Sequence, residues 1–168
     1  MTQHDTIDAR IFAMELQLVA RVWRAKTDAA LSGLRLSTTL AYPIMAVHRL
    51  GEGVRQTVVA NALGIEGPSL VRALDALGAA GLLDRREDLA DRRAKTLHLT
   101  PEGKRLARHI ETVVARVRED LLAGISSSDL AATARTLQSI ARAAGVSLAA
   151  PIALADFDGP SAVPEASI

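Results

Sequence analysis

Two short helical segments joined by a glycine-containing turn constrain the fold of this chain most strongly. The stretch RQTVVANAL ends at Gly64, and a second helical pattern runs from Pro68 to Gly81. Proline suits the first turn of a helix and glycine the position just past its end. One face of the second segment carries Leu70, Val71, Leu74 and Leu77, and the other carries Ser69, Arg72, Ala73 and Ala76. This spacing predicts a helix-turn-helix whose second helix exposes its more polar face.

After Gly81 the pattern changes from helical spacing to alternation. LLDRR is followed by the charged stretch EDLADRR and then by AKTLHL. In the last stretch Thr96, His98 and Thr100 alternate with Leu97 and Leu99. Such alternation indicates a half-buried strand, so we predict a β-hairpin, or wing, with basic residues at its tip.

Long helices are predicted on both sides of this region. From Ile7 to Trp23 two apolar stripes recur at helical spacing, and the pattern ends at Ser32 and Gly33. Another helix starts at Pro101 and reaches Gly124, and the serines from Ser126 can cap a last helix that ends near Gly145. Two apolar stripes on one helix exceed what a small domain covers, which favours a partner chain.

The predicted fold is mainly α with a small β wing. Composition agrees with a mainly helical fold, because 49% of the residues are hydrophobic, with many Ala and Leu among them, and only 2% are aromatic. We divide the chain into an N-terminal dimerisation helix (1–36), a winged helix-turn-helix DNA-binding domain (37–103), C-terminal dimerisation helices (104–145) and a tail predicted to be flexible (146–168). Ser37 or Thr38 can cap the first helix of the second region. Pro43 then either kinks that helix or marks a later start.

Composition excludes several classes of protein. Without cysteine there is no disulfide framework, thiolate metal site or cysteine redox sensor. The four histidines have no metal-ligand spacing and no phosphate-binding glycine loop is present, so we expect no catalytic residues, metal or cofactor. The net charge of +1 gives no overall argument for nucleic-acid binding. No apolar run approaches the roughly 20 residues of a membrane span, and the start is polar, so we predict no membrane association and a cytoplasmic protein.

The stretch GIEGPSLVRALDALGAAGLLDRREDLADRRAKTLHLTPEG resembles the MarR family of transcriptional regulators. VWRAKTDAAL and LAGISSSDL resemble the SlyA branch of that family, so the similarity runs from Met14 to Gly145. In the wing the family often has arginine where Ala90 stands here. The resemblance implies that the protein is a transcriptional regulator and not an enzyme, and that it forms a triangular homodimer. The two recognition helices of such a dimer lie about 10 base pairs apart on double-stranded DNA, so the operator should be a pseudo-palindrome.

The resemblance places DNA contacts on the second helix of the helix-turn-helix. Arg72 can read guanine O6 and N7 in bidentate fashion, and the alternative is a solvated helix charge. Pro68 and Ser69 stand at the helix start, where a backbone N–H can bind phosphate and a side chain can touch a base. The alternative for both residues is simple capping.

The wing supplies the other expected contacts. Arg92 and Arg93 are adjacent and should point differently, and the resemblance favours Arg93 in the minor groove, with Arg92 meeting phosphate or a carboxylate. Asp91 either orients an arginine or forms the turn. Arg85 and Arg86 either bind phosphate or balance nearby carboxylates.

A small aromatic carboxylate ligand, bound between the dimer helices and the winged domain, is a further expectation from the resemblance. The residues that match this pocket or supply its apolar wall are Arg21, Trp23, Arg24, Ser37, Thr39 and Tyr42. An arginine fork suits a carboxylate, and an apolar wall suits an aromatic ring. The alternative is that Arg21 and Arg24 form interface salt bridges. Ala41 and Met45 stand where the SlyA branch tends to carry larger groups.

A winged-helix protein-interaction module without specific DNA binding is the rival hypothesis. The nearly neutral charge would permit it. Retention of Arg72, Arg92 and Arg93 in the positions of the family motif argues for DNA binding instead.

Overall fold

The structure, a computed structural model, describes residues 8–88, 90–91 and 94–145. The helices are α1 (Ala9–Leu31), α2 (Thr38–Leu50), α3 (Gln56–Leu63), α4 (Gly67–Ala79), α5 (Pro101–Leu122) and α6 (Ser127–Ala143). The strands are β1 (Val54–Arg55), β2 (Leu83–Glu87) and β3 (Lys95–Leu99). The predicted fold, mainly helical with a small β wing, is confirmed.

The core lies where α2, α3 and α4 meet the sheet and the start of α5. Its fully buried members include Ile44, Val59, Leu70, Leu74, Leu77, Leu97 and Ile110. Leu70, Leu74 and Leu77 form the predicted inward face of α4. Ala73 was expected on the opposite face, but only 4% of its surface is exposed, so that placement is wrong. A methyl group can pack at the edge of a core stripe, because it needs little space.

The sheet has the order β1-β3-β2 with antiparallel pairing throughout. The predicted hairpin is present, with Leu83 opposite Leu99 and Glu87 opposite Lys95. The two-residue strand β1 was not predicted, because two residues are too few to show an alternating pattern. It pairs Val54 with Leu97 and so joins the wing to the start of α3.

Helix α2 begins at Thr38 and continues through Pro43, so the later start that the sequence left open is wrong. Ser37 occupies the N-cap position without a side-chain hydrogen bond. The Thr38 N–H instead donates to the Asp28 carboxylate of α1 at 2.6 Å. A neighbouring helix therefore caps α2, which ties the two helices together.

Helix α1 contacts α5 only through part of its surface. Ile11, Met14, Leu18 and Val22, the first predicted stripe, are 53, 72, 52 and 45% exposed. None of the described residues of α6 is buried. This apolar stripe of α1 is thus left uncovered by the described residues of the single chain. In the described part of the chain, no helix is long and apolar enough to cross a membrane.

Candidate DNA interface

The N-terminal half of α4 forms an exposed surface that contains the three helix residues predicted to contact DNA. Pro68, Ser69 and Arg72 are exposed. The N-cap is Glu66, whose side chain makes no capping bond, and Ser69 lies one turn inside the helix. The capping alternative for Pro68 and Ser69 therefore does not describe the observed helix start.

Arg72 differs from the neighbouring cations because it has no carboxylate partner among the described residues. Between positions 49 and 105, the other described cations all form ion pairs: Arg49, Arg55, Arg85, Arg86, Lys95, Lys104 and Arg105. A guanidinium with five free N–H donors on an exposed helix face can make bidentate bonds to a base edge or a phosphate. Arg72 is thus the described cation of this surface most available to an anionic partner.

Arg85 and Arg86 both form ion pairs. From the sequence, either a contact with DNA phosphate or a pair with a nearby carboxylate was expected for them. Arg85 of β2 pairs with Asp75 of α4. Arg86 pairs with Asp84 at 3.5 Å, and both side chains are more than half exposed. The Arg85 pair joins the wing to the recognition helix, whereas the Arg86 pair is an exposed contact that stabilises little.

Asp88, at the end of β2, organises the start of the wing loop. Its Oδ1 accepts hydrogen bonds from the N–H groups of Ala90 at 2.8 Å and Asp91 at 3.3 Å. Its Oδ2 accepts one from Arg55 Nε at 2.7 Å. The Arg55 guanidinium, followed by the Ala90 N–H, lowers the pKa of Asp88. Sequence reasoning missed this role, although an aspartate that begins a loop is a common signal for such a turn.

Asp91, another residue of the predicted wing contacts, lies in the loop itself. The Asp91 carbonyl accepts a hydrogen bond from the Ala94 N–H at 2.8 Å, and the Asp88 N–H donates to the Ala94 carbonyl at 3.2 Å. Arg92 and Arg93 lie outside the described residues. Their expected DNA contacts therefore stay predictions.

A second polar cluster supports the base of the wing on the side of α5. Glu52 accepts hydrogen bonds from Lys104 Nζ at 2.9 Å and contacts His98 Nδ1 at 3.2 Å. His98 Nε2 lies 3.1 Å from the Thr96 hydroxyl. The pKa of Glu52 is lowered, chiefly by the Lys104 hydrogen bond. His98 therefore links Glu52 to β3 at the base of the wing.

The predicted ligand residues are distributed over two separate surfaces. Arg21 and Arg24 are exposed on α1, and Arg21 lines a shallow groove beside Met14 and Leu18. Ser37 and Thr39 are exposed at the start of α2, and Trp23 is half-buried.

Tyr42 lies in a different crevice, of about 240 Å³, between α2 and α5. It is lined by Tyr42, Met45, Ala46, Arg49, Leu63, Val114 and Arg118. Arg49 also forms a bidentate pair with Glu111 of α5, at 2.6 and 2.5 Å. This crevice and the α1 groove share no residue, so Arg21 and Tyr42 line two different cavities of the described part of the chain. Sequence reasoning missed Arg49 and Arg118, because nothing local marks two arginines that are distant in sequence as neighbours.

Comparison with known proteins places this geometry in a family. A sequence model of the MarR family matches residues 42–94. The crystal structure of transcriptional regulator PA3341 is 36% identical with a TM-score of 0.73, over 80% of this chain and 98% of that one. A MarR-family regulator from Rhodococcus sp. RHA1 is 27% identical with a TM-score of 0.69, over 82% and 96% of the two chains. CouR from Rhodococcus jostii RHA1, solved with p-coumaroyl-CoA bound, is 26% identical with a TM-score of 0.67, over 83% and 96%. The fold, the exposed recognition helix and these similarities together show that the chain belongs to the MarR family of transcriptional regulators.

Proposed function

We propose that this chain acts as a homodimer that binds a pseudo-palindromic operator in double-stranded DNA and thereby regulates transcription. The observation that carries the proposal is the exposed face of α4, where Arg72 is free of a carboxylate partner while the surrounding described cations are paired. A recognition helix in the major groove reads bases with side chains of its N-terminal half, and arginine paired with guanine is the commonest specific contact.

Substitution of Arg72 tests this assignment directly. The operator is first obtained by selecting bound fragments from a random DNA pool. Arg72→Ala should then weaken operator binding about 5- to 150-fold and relax preference at one base position per half-site, because a bidentate base contact is lost. Arg72→Lys keeps the charge but not the planar fork, so it should recover affinity for random DNA but not the base preference. A folded Arg72→Ala protein with unchanged affinity and preference would refute the assignment.

The dimer rests on a different surface. The exposed apolar side chains of α1, among them Ile11, Met14 and Leu18, are too large a patch for a stable monomer to leave in water. Sedimentation at micromolar concentration should show one species of twice the chain mass. Leu18→Glu should shift it toward the monomer, whereas Ala13→Glu, on the side of α1 away from both stripes, should not. A folded wild-type monomer would contradict the proposal.

Release by a small aryl carboxylate is the second part of the proposal, and the crevice at Tyr42 supports it. Met45 and Val114 provide apolar walls, and Arg118 at the rim has no carboxylate partner among the described residues. Ligand cavities commonly have a volume of about 300–1,000 Å³. This crevice, with about 240 Å³, lies just below that range, so it suits a small ligand with a single ring. A relative solved with an aromatic acyl thioester bound gives further support.

Mobility shifts with millimolar salicylate separate the two candidate surfaces. Arg118→Ala should keep DNA binding and lose release by salicylate, since the carboxylate loses its guanidinium partner. Arg21→Ala tests the site that the sequence predicts: loss of the response in this variant alone would place the site on α1. No release of the wild type by any of a panel of aryl carboxylates would end the ligand proposal.

We also propose the SlyA-like branch, the cytoplasmic location and the domain boundaries at residues 37, 104 and 146. Branch membership predicts that operators of SlyA-like regulators compete for this protein better than operators of other MarR-family members. A competition titration with both kinds of operator checks this expectation.

A further inference from the structure

We propose that Asp88, held by Arg55, is a positioning residue for DNA binding. Although its carboxylate is negatively charged like DNA, it strengthens DNA binding because its hydrogen bonds hold the wing loop in place. The inference rests on the proposed DNA-binding function and deepens it. It assigns a role to a pair that joins elements 33 positions apart in sequence.

The single carboxylate of Asp88 meets three hydrogen-bond donors. Oδ1 of Asp88 accepts from the N–H groups of Ala90 and Asp91, at 2.8 and 3.3 Å. Oδ2 accepts from Arg55 Nε at 2.7 Å, and only 13% of the Asp88 side chain is exposed. With both oxygens engaged, the side chain has one orientation, and the loop that follows it takes its direction from that orientation.

Arg55 connects this loop to the helix-turn-helix. Arg55 ends β1 and is the N-cap residue of α3. Together with Gln56, Thr57, Ala94 and Lys95 it lines a crevice of about 140 Å³ between α3 and the base of the wing. The pair therefore relates the wing loop to the first helix of the motif. The neighbouring Lys95–Glu87 pair, at 3.2 Å, joins only the two strands of the hairpin.

A charge effect and a positioning role predict changes of opposite sign in the affinity for DNA. Electrostatics predicts that removal of a carboxylate near DNA tightens binding, since the protein gains one net positive charge. A positioning role predicts the reverse, because loss of Asp88 frees two loop amides and releases Arg55. The direction of the change in affinity thus separates the two explanations without any assumption about which wing side chain touches DNA.

The test compares two adjacent carboxylates of the wing by titration of the full-length protein with operator DNA. Glu87→Ala, the matched control, should bind as tightly as wild type or more tightly, since Glu87 holds only the exposed Lys95. Asp88→Ala should bind about tenfold more weakly, the scale of one lost charge-assisted hydrogen bond. Asp88→Asn keeps an acceptor for the loop amides and should recover part of the loss. Thermal unfolding midpoints of both Asp88 variants should fall only slightly, because the pair lies outside the core and its contribution to stability is small.

Several outcomes overturn the inference. Asp88→Ala and Asp88→Asn that bind DNA as tightly as wild type, or more tightly, would show that the carboxylate is only a neutralising charge. A parallel loss for Glu87→Ala would show that any acidic residue of the wing acts alike. Wild-type protein without operator binding would instead refute the proposed function, and the first titration reveals that failure before any variant is made.

Discussion

Replacement of Gly103 by alanine should loosen the junction between α5 and the wing. Gly103 is the third residue of α5 and is buried against the backbone that precedes β2. A Cβ at this position would lie 2.0 Å from the Leu82 carbonyl oxygen and 3.0 Å from its carbon. The obstacle is backbone, so no rotamer change can remove it. The helix start and the hairpin must move apart by about 1 Å to reach the 3.0 Å that real contacts require.

The cost of that movement follows from the contacts at the junction. The same Leu82 oxygen accepts a hydrogen bond from the Thr100 N–H at 3.1 Å, and the Thr100 hydroxyl donates to the Gly81 carbonyl at 2.8 Å. Overpacking typically costs about 1–3 kcal/mol, and a stretched hydrogen bond costs about 1 kcal/mol more. The better helix propensity of alanine returns roughly 0.5–1 kcal/mol. We expect a net loss of about 1–3.5 kcal/mol in the free energy of unfolding.

Gly78→Ala provides the matched control. Gly78 lies in α4, and a Cβ there would be 3.6 Å from the Leu83 carbonyl oxygen, an ordinary contact. This substitution should stabilise the protein by up to about 1 kcal/mol. Urea unfolding followed by circular dichroism, at equal protein concentration because dimerisation contributes to stability, measures both variants. Equal stability of Gly103→Ala and Gly78→Ala would refute the reasoning.

Two further predictions follow from ion pairs. Glu111→Ala should destabilise the protein by about 3 kcal/mol in the same urea assay, because the bidentate Arg49 guanidinium, only 25% exposed, is left without its partner. Glu87→Ala, which breaks an exposed pair, should cost less than about 1 kcal/mol, and equal costs for the two variants would contradict this account. Because the pKa of Asp88 is lowered in the folded state, its contribution to stability should be complete above its ordinary value of 3.8 and be lost as the pH falls through the lower folded value. A carboxyl NMR titration should therefore show a midpoint below 3.8 that rises in Arg55→Ala, and an identical midpoint in both proteins would contradict the assigned cause.

Local pattern was enough to predict most of the elements. The helical spacing of Leu70, Leu74 and Leu77, with proline before and glycine after, predicted α4 and its buried face. Alternation around Leu97 predicted β3. These features depend on residues that are neighbours in sequence, and the spacing of apolar residues differs between a helix and a strand. The exposed position of Arg72 follows from the same periodicity.

Contacts between residues distant in sequence were decided only by the tertiary structure. The strand β1, the burial of Ala73 and the pairs of Arg55 with Asp88 and Arg49 with Glu111 could not be read from spacing. These two pairs join residues that are 33 and 62 positions apart in sequence, so only the packed fold brings each arginine to its carboxylate. Sequence alone therefore determined the elements and the polar face of the recognition helix, because periodicity is a local property. The tertiary structure decided which charges of the described residues are paired and which have no carboxylate partner there, because that choice depends on the distances between elements.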